Sequence, residues 1–309
     1  MDRVDPKEIC FIRPRMRHDF VVEGMEAQGY TNIIPYKDFN IFFRLAREIS
    51  FKLGLPEKFW YNPKIKTIKA PNIVIYDSLT TPGLVSYVVA NHPDKKIFLT
   101  YENRADCVVS PRPDSIKEDS VIKVTYEMHD AEQYGMHYIH GDYTKSDIVK
   151  PDAEKIYDVV YVARDKGRGD KALEFEKKLN SMGLKTYFHI CGDRRVINKH
   201  KRYYKPLLQY NEYLEIISKS KSILNIMPEG QAALTLRDYE VLFYSIKGIT
   251  NNAWIKTFEL YDPSRFFILG ERPIEELPAF LAEEFKPISE EELEPYTGGH
   301  WLRTMLSLQ

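Results

Sequence analysis

The chain is predicted to be α/β, built from two successive Rossmann-like halves whose strand ends open onto a cleft. Three observations predict this. Short runs rich in β-branched residues alternate with helical patterns along most of the 309 residues, the signature of βαβ units on a parallel sheet. The alternation pauses in DYTKSDIVKPDAEKIYD (142–158), a polar stretch with a proline and no clear periodicity, which reads as a linker. It then restarts, and the length suits two domains of about 150 residues each. The expected domains are 1–150, 151–278 and a helical tail, 279–309, that packs back on the body.

In the first half, ICFIRP (9–14) reads as a strand and HDFVVEGMEAQG as a helix stopped by Gly29. TNIIPY is a strand and FNIFFRLAREISFKLG a helix. NIVIYDS (72–78) is a strand, TTPGLVSYVVANH a helix, and KIFLTYEN (96–103) and VIKVTYE (121–127) are further strands. The second half opens with the strand DVVYVAR (158–164). GDKALEFEKKLNSMG follows as a helix with Ala172, Phe175, Leu179 and Met182 on one face and Gly183 as its stop. KTYFHICG is a strand, NEYLEIISKS a helix, SILNIM a strand and LRDYE the start of another helix. GITNN (248–252) and RFFILG (265–270) complete the strands.

Apolar residues make up 43% and charged residues 29%, as in a soluble globular protein. The net charge of −1 gives no bulk attraction to nucleic acid. Cys10, Cys107 and Cys191 form no metal or CxxC spacing and suit a reducing compartment. The charged MDRVDPKE start predicts no signal peptide, and no apolar run nears the roughly 20 residues that span a bilayer. A cytoplasmic protein is expected. Segment 41–69 adds a peripheral membrane contact to that expectation. Phe42, Leu45, Ile49 and Leu53 share a helix face, flanked by Arg44, Arg47, Lys52, Lys58, Lys64, Lys66 and Lys69, with Trp60 nearby. Such a stretch rests on an anionic membrane surface or, alternatively, packs on the sheet as an ordinary helix.

The motif with most chemistry is PEGQAALTLRDYE (228–240). Thr235 is placed to cap a helix starting at Leu236, with Asp238 at the third helical position in a T-x-x-D box. The first turn then offers free N–H groups and the positive end of the dipole to a phosphate. Arg237 adds a guanidinium suited to it. Glu240 lies on the same face about one turn (~5 Å) deeper, where a carboxylate can accept from ribose hydroxyls. Gly230, between Glu229 and Gln231, permits close backbone approach. The alternative is a merely capped helix with Glu240 as a solvated surface residue.

VYVARDKGRGDKA places Arg164, Lys166 and Arg168 just past a strand end, where they can neutralise a diphosphate or form a solvated basic turn. Gly167, Gly169 and Ala172 also spell G-x-G-x-x-A, the dinucleotide fingerprint. Asp165 and Lys166 separate the strand from the first glycine, and the next strand-end acid, Asp193, comes later than the roughly 20 residues of that fingerprint.

From YDVVYVARDKGR through YNEYLEIISKSKSILNIMPEGQAALTLRDYEVLFYSIKGITNN, the chain resembles bacterial glycosyltransferases of the GT-B type that build polysaccharide and lipopolysaccharide. TYEMHDAEQYGMHYIHGDY (125–143) is similar to the segment such proteins carry before their second domain, although Glu127 stands where the family has Asp. The likeness covers residues 95–305 and is clearest over 155–255. It implies a GT-B-like fold, with the first half holding a saccharide or lipid-linked acceptor and the second a nucleotide-diphosphate sugar as co-substrate. It implies a hexosyl transfer without other cofactor. By the same likeness Glu240 meets the donor ribose, Arg164 and Lys166 its phosphates, and Glu229 its sugar. Ten residues separate Glu229 from Glu240, a departure from the family spacing. The chain contains no D-x-D, the motif by which metal-dependent glycosyltransferases of the other main fold hold a divalent ion. A metal-independent reaction is implied.

Glycosyl transfer builds negative charge on the departing phosphate, and an inverting enzyme needs a base on the acceptor hydroxyl. His18, Asp77, Glu102 and Asp130 are the first-half candidates, with Arg13, Arg15 and Arg17 beside His18. Asp130 has an alternative role as cap of the helix AEQYG. Tyr204 and Tyr210 are candidates for stacking on the base. Two other functions stay open: a nicotinamide-dependent oxidoreductase using Gly167, Gly169 and Ala172, and a non-catalytic GT-B-like binding subunit.

Overall fold

The computed structural model describes residues 4–14, 20–37, 40–107, 110–141, 143–193, 201–227 and 233–309. The chain divides into two compact units, Met1–Asp142 with Gly298–Gln309, and Tyr143–Thr297. Each carries a six-stranded parallel sheet.

In the first unit the strands are β1 (Ile9–Ile12), β2 (Thr31–Ile33), β3 (Asn72–Tyr76), β4 (Lys96–Tyr101), β5 (Val121–Thr125) and β6 (His137–Tyr138), in the order β2-β1-β3-β4-β5-β6. The helices between them are α1 (Phe20–Ala27), α2 (Ile41–Lys52), α3 (Pro82–Asn91) and α4 (Met128–Tyr134). NIVIY and KIFLTY are apolar on both faces because β3 and β4 are central and covered on both sides. Thr81 starts α3: its hydroxyl accepts from Leu84 N–H at 3.1 Å and Pro82 follows at the first position. Leu84, Val85 and Val88 then pack into one core layer with Ile73 and Ile75. The opposite layer holds Phe11, Val74 and Phe98.

Helix α2 departs from the usual amphipathic arrangement. Asn40 caps it, accepting from Phe42 N–H at 2.9 Å and Phe43 N–H at 3.1 Å. Its buried residues are Arg47 and Ser50, while Ile41, Phe42, Leu45, Ile49 and Leu53 are exposed. The expected helix is present, but its apolar stripe does not face the sheet.

The second unit contains β7 (Tyr157–Arg164), β8 (Thr186–Cys191), β9 (Tyr204–Lys205), β10 (Ser220–Asn225), β11 (Lys247–Thr250) and β12 (Phe266–Ile268), in the order β12-β11-β10-β7-β8-β9. Counted from its first strand this is the doubly wound order 3-2-1-4-5-6, with the switch point between β7 and β10. Helices α5 (Gly169–Ser181), α6 (Tyr210–Ser218), α7 (Leu236–Tyr244), α8 (Leu277–Ala282) and α9 (Glu290–Leu293) complete it. Strand neighbours point to opposite faces. Val160 and Ile223 join Leu214, Ile217 and Leu242 in one layer. Val159 and Leu224 join Ala172, Leu179 and Phe280 in the other.

The last helix, α10 (Gly298–Ser307), belongs to the first unit. Trp301 and Met305 complete the layer around Phe11 and Phe98, and Lys96 Nζ donates to Leu306 O at 2.8 Å. The expected single tail over 279–309 is therefore split between the units at Thr297. The first boundary falls at Asp142 rather than 150, because Tyr143 and Val149 already pack in the second unit's core. Among the described residues, no helix is long and apolar enough to cross a membrane.

Candidate functional site

The second sheet opens at its switch point. The β7–β10 ladder runs through Ser222↔Val159 to Ile223↔Val160 and ends there. Both strands continue beyond it, β7 paired with β8 to Arg164 and β10 with β11 to Asn225. The backbone of Val162 and Ile226 thus lies past the last pair, at the carboxyl end where open α/β sheets bind ligands.

Two arginines cross this gap in opposite senses. Arg168, after β7, donates from Nη1 to Ile226 O and from Nη2 to Arg164 O at 3.4 Å. Arg237, after β10, donates from Nη2 to Val162 O. Both are half-buried, and the Nε of each is buried without a partner. Burial pushes the Arg168 guanidinium below its usual range, and the nearby Arg237 charge adds to that. Among the described residues neither makes an ion pair. Two like charges, half-desolvated and hydrogen-bonded to carbonyls, favour an anion between them, although Asp165 beside Arg168 and Glu240 beside Arg237 offset part of the charge.

The loop before α5 sets Arg168 in place. Lys166 (φ 45°) and Gly167 (φ 82°) are consecutive left-handed residues that reverse the chain. Asp165, 1% exposed, accepts from Gly169 N–H at 2.7 Å and from the Tyr204 hydroxyl at 2.5 Å. A Cβ on Gly169 would sit 2.4 Å from the Tyr203 hydroxyl. The two glycines of G-x-G-x-x-A thus serve this turn, and the Gly169 amide is taken by Asp165. That observation weighs against a dinucleotide site here. Arg164 and Lys166 are exposed at the same edge. Tyr204 supports the turn and lies edge-on to Tyr203 at 5.0 Å, so it is not a free platform for a base.

The start of α7 has the expected box. Asp238 accepts from Thr235 N–H at 2.7 Å and from its hydroxyl at 2.8 Å. Asn225, at the end of β10, donates to the Thr235 hydroxyl at 2.8 Å and to Asp238 at 3.1 Å. The Thr235 hydroxyl is therefore engaged inside the cap. The amides of Leu236 and Arg237 meet no acceptor among the described residues, leaving two donors on the side of Arg237.

Glu240 is fully buried, which overturns the reading of a solvated surface residue. Tyr210 donates to its Oε1 at 3.0 Å, and Tyr213 donates to Oε2. The Tyr143 and Tyr210 hydroxyls stand 3.4 Å apart. Burial pushes the carboxyl up to about 7, opposed by the Tyr213 hydrogen bond and the Arg237 charge. Tyr210 is committed to this network rather than to stacking on a ligand. Glu229, Gly230 and Gln231 lie outside the described residues, as do Arg15, Arg17 and His18.

In the first unit Asp77 and Asp130 are loop anchors. Asp77, fully buried, accepts from Glu102 N–H at 3.0 Å, Asn103 N–H at 3.3 Å, Asn103 Nδ2 at 3.1 Å and Ser110 Oγ at 2.5 Å. Burial raises its pKa, and these donors oppose the rise. Asp130 accepts from Ala105 N–H at 2.7 Å. It sits inside the first turn of α4, whose cap position is Glu127, so it is not the helix cap expected from AEQYG. Glu102 pairs with Arg13 at 3.4 Å, and the Arg13 guanidinium lies 4.9 Å from the Tyr76 ring centre.

Sequence reasoning missed Asp165, Asn225, Tyr143 and Tyr213. Asn225 had a signal, a lone amide in the apolar run SILNIM. Tyr213 is spaced three from Tyr210, which places both on one helix face. No protein-family model matches the chain and no curated protein matches it, so function rests on the site itself.

Proposed function

We propose that the second unit binds a nucleoside diphosphate, as the donor half of a metal-independent GT-B-type glycosyltransferase. The single observation that carries this is the pair Arg168 and Arg237 crossing the β7–β10 gap, neither in an ion pair among the described residues. A diphosphate supplies the anion. Its oxygens accept from the two guanidiniums and from the Leu236 and Arg237 amides. The resemblance to polysaccharide-building glycosyltransferases points to a nucleotide sugar as the diphosphate and a saccharide or lipid-linked oligosaccharide as acceptor. In the transfer, the bond from the sugar's anomeric carbon to the diphosphate breaks and its electron pair leaves on the phosphate oxygen. The acceptor hydroxyl oxygen forms the new glycosidic bond, and its proton passes to solvent water. Charge on the leaving diphosphate grows in the transition state, where fixed guanidiniums act most strongly.

Calorimetry with UDP, GDP, TDP, CMP and NAD tests this reading. A nucleoside diphosphate is expected to bind while NAD does not. Absence of binding by all three diphosphates would overturn it. A second reading, a binding subunit without turnover, draws on the engagement of Asp77 and Asp130 as loop anchors. It predicts diphosphate binding with no transfer to any acceptor.

A further inference from the structure

Helix α2 is fixed with its apolar side outward. Arg47, 4% exposed, lies with its guanidinium 4.3 Å from the Tyr36 ring centre and 5.9 Å from that of Phe51. Ser50 accepts from Trp60 Nε1 at 2.9 Å on the same inward side. Turning the helix to bury its apolar stripe would break both contacts. At 3.6 residues per turn, Ile41, Phe42, Leu45, Ile49 and Leu53 cover about 120° of the outward arc. Phe42 is 78% exposed and Ile41 74%. The stripe continues into the next turn through Leu55 and Phe59, both exposed. Beside that turn, reaching Phe43 and Ser50 on the other side of α2, lies a groove of about 440 Å³ also lined by Lys37, Pro56 and Trp60. An apolar surface of this extent marks an interaction site.

Charge identifies the occupant. Residues 41–69 hold seven Lys and Arg, of which Arg47 faces inward, against two acids, Glu48 and Glu57, in a chain of net charge −1. Lys52 and Lys58, in and just after α2, are exposed, as are Lys64, Lys66 and Lys69 further along the segment. A second copy of this face would set those cations against each other. An anionic bilayer accepts the apolar side chains at the acyl boundary and the lysines at its headgroups. We propose that the outward face of α2 with the turn through Phe59 docks on an anionic lipid membrane.

The test is sedimentation of the full chain with phosphatidylcholine vesicles, with and without phosphatidylglycerol, beside light scattering of the protein alone. The expected result is binding to the phosphatidylglycerol vesicles only, falling at least about tenfold in high salt as screening shortens. Phe42→Asp with Leu45→Asp, and separately Lys58→Glu with Lys64→Glu, are each expected to abolish it. These side chains are exposed, and unchanged UDP affinity and circular dichroism confirm the fold. No binding to anionic vesicles would overturn the proposal, as would binding that survives the Phe42 and Leu45 changes. A wild-type dimer that the same changes turn into monomer would assign the face to a second copy instead.

Discussion

Glu240 shows how a residue's spacing and its environment carry different information. Its place one turn below Arg237 was legible from LRDYE, because helix periodicity fixes it. Its burial was not, because the tyrosines that cover it come from α6, 27 and 30 residues earlier. The enclosure has a pH consequence. The folded pKa is raised to about 7 from an ordinary 4.5, so the native state binds more protons than the unfolded chain between those values. Stability then falls as pH rises through that window. Glu240→Gln keeps the shape and removes the ionisation. Urea unfolding from pH 4.5 to 8 should give a flatter profile for the variant than for wild type. The difference reaches at most about 3 kcal/mol at the alkaline end. Parallel profiles would show that the carboxyl ionises freely.

At the scale of elements, long periodic segments were readable and very short ones were not. β6 and β9 have two residues each, too few to show alternation. Strand β2 ends at Ile33 where the run TNIIPY suggested Tyr36, since Pro35 lacks the N–H a ladder needs. Helix α2 was legible as a helix, yet its facing depends on Tyr36 and Trp60, which the helix pattern does not contain. Strand β11 holds a packing constraint of its own. A Cβ on Gly248 would meet the Phe266 ring at 2.6 Å and Val241 at 3.1 Å. Phe266 is the cross-strand partner of Gly248 on β12, and both neighbours lie in one core layer. Gly248→Ala should therefore destabilise the second unit by about 1–3 kcal/mol, by overpacking. Thermal unfolding measures it, and an unchanged melting temperature would show that the layer yields.

At the scale of the molecule, the strand–helix alternation and the pause near 142–158 gave the number of units and the parallel sheets. The return of α10 to the first unit was hidden, because nothing in WLRTMLSLQ says which core its Trp301 and Met305 complete. The strand order was hidden too, since order is set by which strands pair. Yet that order gives the site its meaning. Only because β7 and β10 are neighbours do Arg168 and Arg237, 69 positions apart, meet across one gap. Neither arginine makes an ion pair among the described residues, and an anion between them is what that convergence favours. Calorimetry of UDP and of uridine against wild type, Arg168→Ala and Arg237→Ala tests it most directly. Each substitution is expected to weaken UDP at least about tenfold, the loss of one charge-assisted contact, and to leave uridine unaffected. UDP affinity unchanged in both variants would contradict it.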